Sequence, residues 1–367
     1  MPTDIYARLR ELAASSDSKP AEMRPVLLRV ITDLFTLHLL HTSDELRLYE
    51  EMAGKLIAGA DESALTHVAR KLSRCLDAPP AVLERIRARG GQPARELLRN
   101  SPLIERRDLR EIAASGACDQ ACAVAGRDDL DHETARILAA RPEREILRAL
   151  AANPKAPLGS QDIRLLAARG RSDPELAGAL LGRGEPTIDA LPLFSFAGPP
   201  ERAALLLLAL EANLIHAGRP EPESPLDAET AERVEAAALD GKRGAFAKIL
   251  AERLPCDQVL ARRIVDDEPG DTLALAFVAL GLPREACARI LLGAFPRIGE
   301  SREAFDRVMR LVRTVPRRVA LRMIEAMAGP SGAQAPGAAR APLPGSAPER
   351  RSIGATAAAP AAKPGRV

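Results

Sequence analysis

The chain reads IRARG at residues 86–90, IAASG at 112–116, LAARP at 138–142 and LAARG at 166–170. These four similar segments are separated by 26, 26 and 28 residues. Each is followed by a second stretch with apolar residues at helical spacing, and these stretches usually end at a helix breaker such as Asn-Pro. The period predicts a helix-turn-helix unit that is repeated four times.

The apolar positions of the units indicate that they stack on one another. A helix of about ten residues is marginal alone in water, and each unit carries an apolar stripe that it cannot cover by itself. Stacking of neighbouring units buries these stripes. We also find no alternating β-branched runs bounded by turns. The sequence therefore predicts an all-α fold: an α-solenoid of short helical hairpins, followed by a second helical region and a disordered tail.

The N-terminal part begins with a strong predicted helix at residues 21–41. Its apolar residues on one side are Val26, Val30, Leu34 and Leu37. The next residues, Thr42 to Glu45, read TSDE, which is the pattern of a capping box that opens another helix.

Breakers and changes in composition divide the chain into four parts. Residues 191–200 combine an apolar stretch with a glycine and two prolines that follow it, and the chain after residue 328 consists mostly of Ala, Pro, Gly and Arg. We predict an N-terminal helical segment at 1–41, helical repeats at 42–190, a C-terminal all-helical region at 191–328 and a disordered tail at 329–367.

Composition and charge bear on the class of partner. Hydrophobic residues make up 46% of the 367 residues, aromatic residues only 2%, and there is no Trp, so the core is built from small aliphatic side chains. The formal net charge is +2. The predicted tail has five basic residues against one acidic residue, so the rest of the chain carries a formal charge of −2. It therefore lacks the positive field that drives sequence-independent binding to nucleic acid.

The cysteines and the apolar runs favour a cytoplasmic protein. The five cysteines are an odd number without framework spacing, which is typical of reduced thiols. The first residues do not have the pattern of a secretory leader. The longest apolar run, Ala203 to Leu210, is far shorter than the roughly 20 residues that a membrane span needs.

Three stretches carry a family resemblance. They are SPLI at 101–104 leading into DLREIA at 108–113, EILRALAANP at 145–154, and ALGLPRE at 279–285. With these stretches, the chain from about Thr42 to Ala328 resembles an uncharacterised bacterial family of HEAT-like repeat proteins, domain of unknown function family 2336. The resemblance implies that the predicted solenoid, with its repeats at 42–190, is HEAT-like, and it brings no established activity.

Catalytic motifs do not occur in a suitable context. We find no P-loop, dinucleotide fingerprint, nucleophile elbow or zincin motif. The segment GKRG at 241–244 lacks the preceding strand and the spacing of a phosphate-binding loop, and we interpret it as a helix start. We therefore predict that the protein is not an enzyme and needs no cofactor.

Two lines of equivalent positions are candidates for partner binding. Arg89, Arg141 and Arg169 are equivalent in three units, where the fourth unit has Ser115. Each arginine could cap the C-terminus of its own helix, which we favour, or the three could form an anion-binding stripe. The second line follows the second helices and changes charge from unit to unit, which suits a polypeptide better than a phosphate backbone. It consists of Glu96, Cys122 and Arg148.

Two pairs of residues could carry thiol or metal chemistry. Cys118 and Cys122 are four residues apart on a predicted helix and form a candidate redox pair. Their counterparts in the neighbouring units are polar, which places the pair on a solvent-facing or groove-facing surface. His38 and His41 could bind a metal, but a cation near a helix C-terminus is the more ordinary interpretation. We predict no metal site.

The leading functional hypothesis is a scaffold or adaptor that binds a protein or peptide along its concave surface. One alternative is a nucleic-acid-binding HEAT-like solenoid similar to some DNA glycosylases, although the scarcity of aromatic residues counts against it. The other alternative is a thiol-based redox or metal-responsive regulator that uses Cys118 and Cys122.

Overall fold

The structure is a computed structural model that describes residues 23–184, 186–214 and 226–329. These residues form helices joined by short turns, with no β-strand among them. The prediction of an all-α helical-repeat fold is confirmed. Residues 330–367 of the predicted tail lie outside the described residues, as do residues 1–22 of the predicted N-terminal segment. No helix in the described part is both long enough and apolar enough to cross a membrane.

The first three helices precede the four repeated units. They are α1 (Arg24–Phe35), α2 (Ser43–Ile57) and α3 (Glu62–Leu72). Helix α2 begins at the predicted capping box, in which the Thr42 side chain accepts from the Glu45 amide and the Glu45 carboxylate accepts from the Thr42 amide. Helix α1 differs from its prediction because it ends at Phe35 and buries Leu27 and Ile31, whereas Val26 and Val30 are exposed.

Four helical hairpins follow at the positions of the repeated segments. They are α4 (Pro80–Arg89) with α5 (Gly91–Asn100), α6 (Arg106–Ser115) with α7 (Cys118–Ala125), α8 (His132–Ala140) with α9 (Arg144–Ala152), and α10 (Ser160–Gly170) with α11 (Pro174–Leu181). Each quoted segment lies at the end of the first helix of its hairpin. The sequence period therefore corresponds to one hairpin.

The remaining described residues form a 3₁₀ helix and nine α-helices. They are the 3₁₀ helix Ile188–Phe196, α12 (Pro199–Leu214), α13 (Ala228–Leu239), α14 (Arg243–Arg253), α15 (Gln258–Val265), α16 (Asp271–Leu280), α17 (Arg284–Ala294), α18 (Pro296–Gly299), α19 (Arg302–Thr314) and α20 (Arg317–Ala328). Helix α14 begins inside the segment GKRG, as predicted.

The hairpins stack in two layers. In the layer of second helices, each helix packs on the next one, from α3 through α5, α7 and α9 to α11. In the layer of first helices, α6 packs on α8, α8 on α10, and α10 on the 3₁₀ helix. Helices α4 and α6 are the consecutive pair of this layer that lacks such close packing. The first-helix layer is therefore open between α4 and α6.

Small aliphatic side chains form three hydrophobic clusters. The first extends from Leu27 to Leu97, the second from Leu98 to Leu176, and the third from Ala167 to Met327. The third cluster begins in α10, so the last hairpin packs together with the C-terminal helices. It also surrounds a buried ion network in which Arg202 binds both oxygens of Asp267, at 2.7 and 2.9 Å, and lies 3.3 Å from Asp271.

Polar side chains just after three of the second helices link each of these helices to the preceding one. They are Arg127, Asn153 and Arg183, whereas Ser101 after α5 accepts locally from the Leu103 amide at 3.3 Å. Arg127 donates to the carbonyls of Leu98 (2.6 Å) and Ser101 (2.9 Å). Asn153 donates to Ala125 and Arg127, and Arg183 donates to four carbonyls at the end of α9 and just beyond it. These bonds satisfy helix-terminal carbonyls that lack intrahelical partners.

Candidate functional site

Two open depressions adjoin on the exposed side of the second-helix layer. One has a volume of about 650 Å³ and is lined by α5, α7 and α9, and the other has about 620 Å³ and is lined by α1, α3 and α5. Gln92 of α5 lines both of them. We call the two together the second-helix groove.

Opposite charges are interspersed along the second-helix groove. Its charged lining residues are Arg29, Glu62, Arg70, Arg95, Glu96, Arg99, Asp119 and Glu145. Arg70 of α3 lies 3.5 Å from Glu96 of α5, and Gln92 donates to the same carboxylate at 3.4 Å. Arg95 and Arg99 are exposed on α5. The groove therefore offers donors and acceptors in turn rather than a row of cations.

The structure brings two of the predicted partner contacts together in this groove. Glu96 and Cys122 both line the depression over α5, α7 and α9. Arg148, the third residue of that predicted line, is instead paired with Asp173 at 3.0 Å and with Glu175. Glu145 lines the groove on α9. On α9 the groove is therefore lined by Glu145 and Ala149, which are four residues apart like Cys118 and Cys122, and not by the predicted Arg148.

Cys118 and Cys122 lie half-buried in the groove as free thiols. Burial raises the pKa of Cys122 to about 12, together with the neighbouring Cys118 sulfur and the nearby carboxylates of Glu145 and Asp119. A thiol with so high a pKa is protonated at neutral pH and is a poor nucleophile. The geometry therefore does not activate Cys122 for thiol chemistry.

The arginines of the first line reach backward to the preceding unit. Arg89 donates to the carbonyl of Ala60 at 3.3 Å, after α2, and Arg169 donates to the carbonyl of Arg141, after α8. Arg141 donates to three carbonyls near the end of α6 and also pairs with Glu143. The expectation that each arginine caps its own helix is therefore corrected. A role of Arg89, Arg141 and Arg169 in partner binding stays a prediction.

Within the described part of the chain, one group of side chains has the geometry to hold a metal ion. Ligand atoms of His41, Cys75 and Asp77 all lie within 4.8 Å of one another. His41 Nδ1 lies 2.9 Å from Asp77 Oδ1, and the Cys75 thiol donates to the same oxygen at 3.2 Å. The opposite ring nitrogen, Nε2, donates to the Phe35 carbonyl at 2.6 Å and so orients the ring. Nitrogen, sulfur and carboxylate ligands of this kind suit Zn²⁺.

Sequence reasoning found His41 but not its neighbours in this group. His38, the predicted partner, only lies edge-on to the His41 ring with centroids 6.5 Å apart. Cys75 and Asp77 follow α3 and are more than 30 residues away in the chain. Burial raises the pKa of the Cys75 thiol to about 11. No local pattern connects these residues, so only the packing of α1 on α3 reveals the group.

These layers of stacked helical hairpins define an all-α helical-repeat protein. The chain belongs to the family described as an uncharacterised protein conserved in bacteria (DUF2336), whose family model matches residues 94–325. The predicted resemblance is thereby confirmed. Comparison with curated proteins and with solved structures gives no match.

Proposed function

We propose that the protein is a non-enzymatic adaptor that binds a protein or peptide along the second-helix groove. The observation that carries this proposal is the mixture of positive and negative side chains along one open surface that spans several consecutive helices. A polypeptide with side chains of both signs can form complementary contacts with such a surface, and complementary contacts give specificity. Repeat proteins commonly use extended surfaces of this kind for binding.

The HEAT-like character and the cytoplasmic location belong to the same proposal. HEAT-like stacking is supported by the helix pairs that pack at every step of the second-helix layer. The cytoplasmic location is supported by the five cysteines, all of which are free thiols. The adaptor needs no cofactor for its function.

The nucleic-acid alternative is disfavoured by the surroundings of the residues that it would need. A phosphate-binding stripe needs free guanidinium groups, but those of Arg89, Arg141 and Arg169 are directed at backbone carbonyls. Holding an unstacked base usually requires an exposed aromatic ring. Tyr49 is fully buried, and its hydroxyl is bonded to Thr32 at 2.8 Å. Tyr6 lies outside the described residues.

Affinity capture with matched charge reversals tests the proposal. Full-length protein is used to capture partners from an extract of its native host at moderate salt, with and without nuclease. The variant R95E/R99E reverses two exposed groove arginines, and R106E/R107E makes the same charge change on exposed residues of α6. We expect a nuclease-insensitive protein partner that R95E/R99E loses and R106E/R107E retains. Retained nucleic acid, or equal loss with both variants, would contradict the proposal.

A further inference from the structure

The gap between α4 and α6 contains a cleft that differs from the second-helix groove. Its volume is about 390 Å³. Arg87, Ala88 and Gly90 line it at the end of α4, and Asp108, Glu111 and Ser115 line it on α6. Ser115 and Glu111 are exposed, so the cleft is accessible from solvent.

This cleft occurs at the unit in which the line of arginines is interrupted. Arg141 donates to the carbonyls of residues 28, 27 and 25 positions before it, at 3.2, 3.1 and 3.2 Å. Ser115 is the equivalent of Arg141 in the preceding unit. The same three separations counted back from Ser115 lead to Arg87, Ala88 and Gly90, which line the cleft at the end of α4 and just beyond it.

The serine side chain does not replace the missing guanidinium. The hydroxyl of Ser115 donates to the Glu111 carbonyl of its own helix at 3.1 Å. The last carbonyls of a helix lack intrahelical partners and form the negative end of the helix dipole. In the next unit Arg141 meets this need for the end of α6 and gains Glu143 as a further partner. The equivalent place at the end of α4 has no arginine from the next unit.

The charges around the cleft favour a cation. Its lining has three carboxylates, of Glu84, Asp108 and Glu111, against one cation, Arg87. That guanidinium already pairs with Glu84 at 2.7 Å and lies 3.5 Å from Asp108. A second guanidinium would be planar, permanently charged and able to donate to several oxygens at once. These are the properties that Arg141 uses one unit later.

We propose that this cleft binds an arginine side chain of a partner polypeptide, which takes the place that Arg141 occupies in the next unit. The inference rests on the proposed function only in that the partner is a polypeptide. A smaller cavity of about 200 Å³ adjoins the cleft, shares Glu84, Arg87 and Asp108 with it, and has an apolar wall. That wall consists of Leu83, Leu97, Leu103 and Ile104. The arginine is therefore accompanied by a large aliphatic side chain nearby in the partner.

Titration with L-argininamide, followed by NMR of backbone amides at low salt, tests this proposal. We expect saturable shifts at residues 87–92 and near Ser115, and none with citrullinamide, which has nearly the same shape but a neutral ureido group in place of the guanidinium. The variant S115R fills the cleft from within the chain. It should abolish the response and raise Tm by about 1–3 °C. The variant D108N/E111Q, which leaves the carbonyls at the end of α4 unchanged, should weaken binding at least threefold.

Three results would overturn the proposal: no saturable shift, an equal response to citrullinamide, or unchanged binding in both S115R and D108N/E111Q. The groove variant R95E/R99E separates this inference from the proposed function, because its argininamide response should equal that of the wild type. Capture of a partner through the groove without argininamide binding would contradict only the cleft proposal. Argininamide binding without such capture would contradict only the groove proposal.

Discussion

At the residue scale, Asp173 shows how one carboxylate serves both a helix and the link between units. It caps α11 by accepting from the Leu176 amide at 3.1 Å, and it pairs with Arg148 of the preceding hairpin. Burial alone would raise the pKa of Asp173, but the hydrogen bonds from Arg148 and from the amide outweigh burial, so its pKa is lowered. Arg148, predicted as a partner contact, is thus engaged within the chain.

The pKa shift of Asp173 predicts a pH-dependent difference in stability. Since its pKa is lower in the folded state, the ionised form stabilises the fold above the unfolded pKa of about 3.9, and this stabilisation is lost as pH falls through the folded pKa. Asp173→Ala should lower the free energy of unfolding by about 1–2 kcal/mol at pH 7, because the cap is lost. Asp173→Asn keeps a capping side chain and should cost less.

Urea unfolding at several pH values measures this effect. The difference between wild type and Asp173→Asn should be constant from pH 7 to about pH 5 and shrink below about pH 4. A difference that grows on acidification would mean that the Arg148 pair does not stabilise the fold.

At the element scale, the existence of the helices could be predicted from the sequence, but the choice of buried face could not always be. The period of 26 to 28 residues located all four hairpins, and the TSDE pattern located the start of α2. Helix α1 has apolar residues on two sides, so the predicted stripe with Val26 was as plausible as the buried one with Leu28. Periodicity within one helix cannot say which side its neighbours will cover.

The contacts of Arg89, Arg141 and Arg169 show a similar limit of what the sequence can predict. Equivalent spacing identified Arg141 and Arg169 as helix-terminal residues, but not whose carbonyls they bind. That depends on the distance between stacked helices, which side-chain packing sets. The same limit applies to Arg127 and Asn153. Their offset of 26 residues is visible in the sequence, but the carbonyls that they bind are not.

The turn that opens α16 provides an element-scale prediction. Gly270 has φ of +79°, and a Cβ placed there would lie 2.5 Å from Ile298 Cδ1. Gly241 has a similar φ of +73° but has nothing within 4 Å of such a Cβ. Gly241→Ala should therefore cost only about 1 kcal/mol of backbone strain. Gly270→Ala should cost about 2–4 kcal/mol, because overpacking adds to the strain.

Thermal or urea unfolding of both glycine variants provides the comparison. If both variants lost the same free energy of unfolding, α18, which carries Ile298, would have to move away from the turn without cost.

At the scale of the whole molecule, the three hydrophobic clusters predict regional stability. The network of Arg202, Asp267 and Asp271 lies inside the third cluster, where Arg202 also faces the Phe194 ring at 5.5 Å. Removing Arg202 leaves the buried Asp267 without its cation and leaves Asp271 with Arg307, 3.4 Å away, so Arg202→Met should cost about 3–5 kcal/mol. The loss should be concentrated in residues 167–327.

Hydrogen exchange measures where the Arg202→Met variant loses protection. Amides of the third cluster should exchange faster, while amides of the first cluster, from Leu27 to Leu97, keep their protection. Equal acceleration in all three clusters would show that the described residues unfold as one cooperative unit.

The proposed function also belongs to this scale, because the second-helix groove exists only when several hairpins stack. Its Glu96 and Cys122 could be predicted from the repeat register, since equivalent positions on stacked helices lie side by side. The openings on either side of α5, and the gap between α4 and α6, could not be predicted. They depend on how closely each pair of helices approaches, and the single replacement of arginine by Ser115 gave only a hint of the gap.

Site-specific photocrosslinking tests most directly whether the second-helix groove binds a polypeptide. A photoreactive amino acid is placed at Arg95, in the groove, or at Arg107, which is exposed on α6, and the protein is irradiated in a nuclease-treated extract of its native host. We predict a discrete protein adduct from position 95 that is absent from position 107. No adduct at position 95, or the same adducts from both positions, would contradict the proposal that this groove is the binding surface.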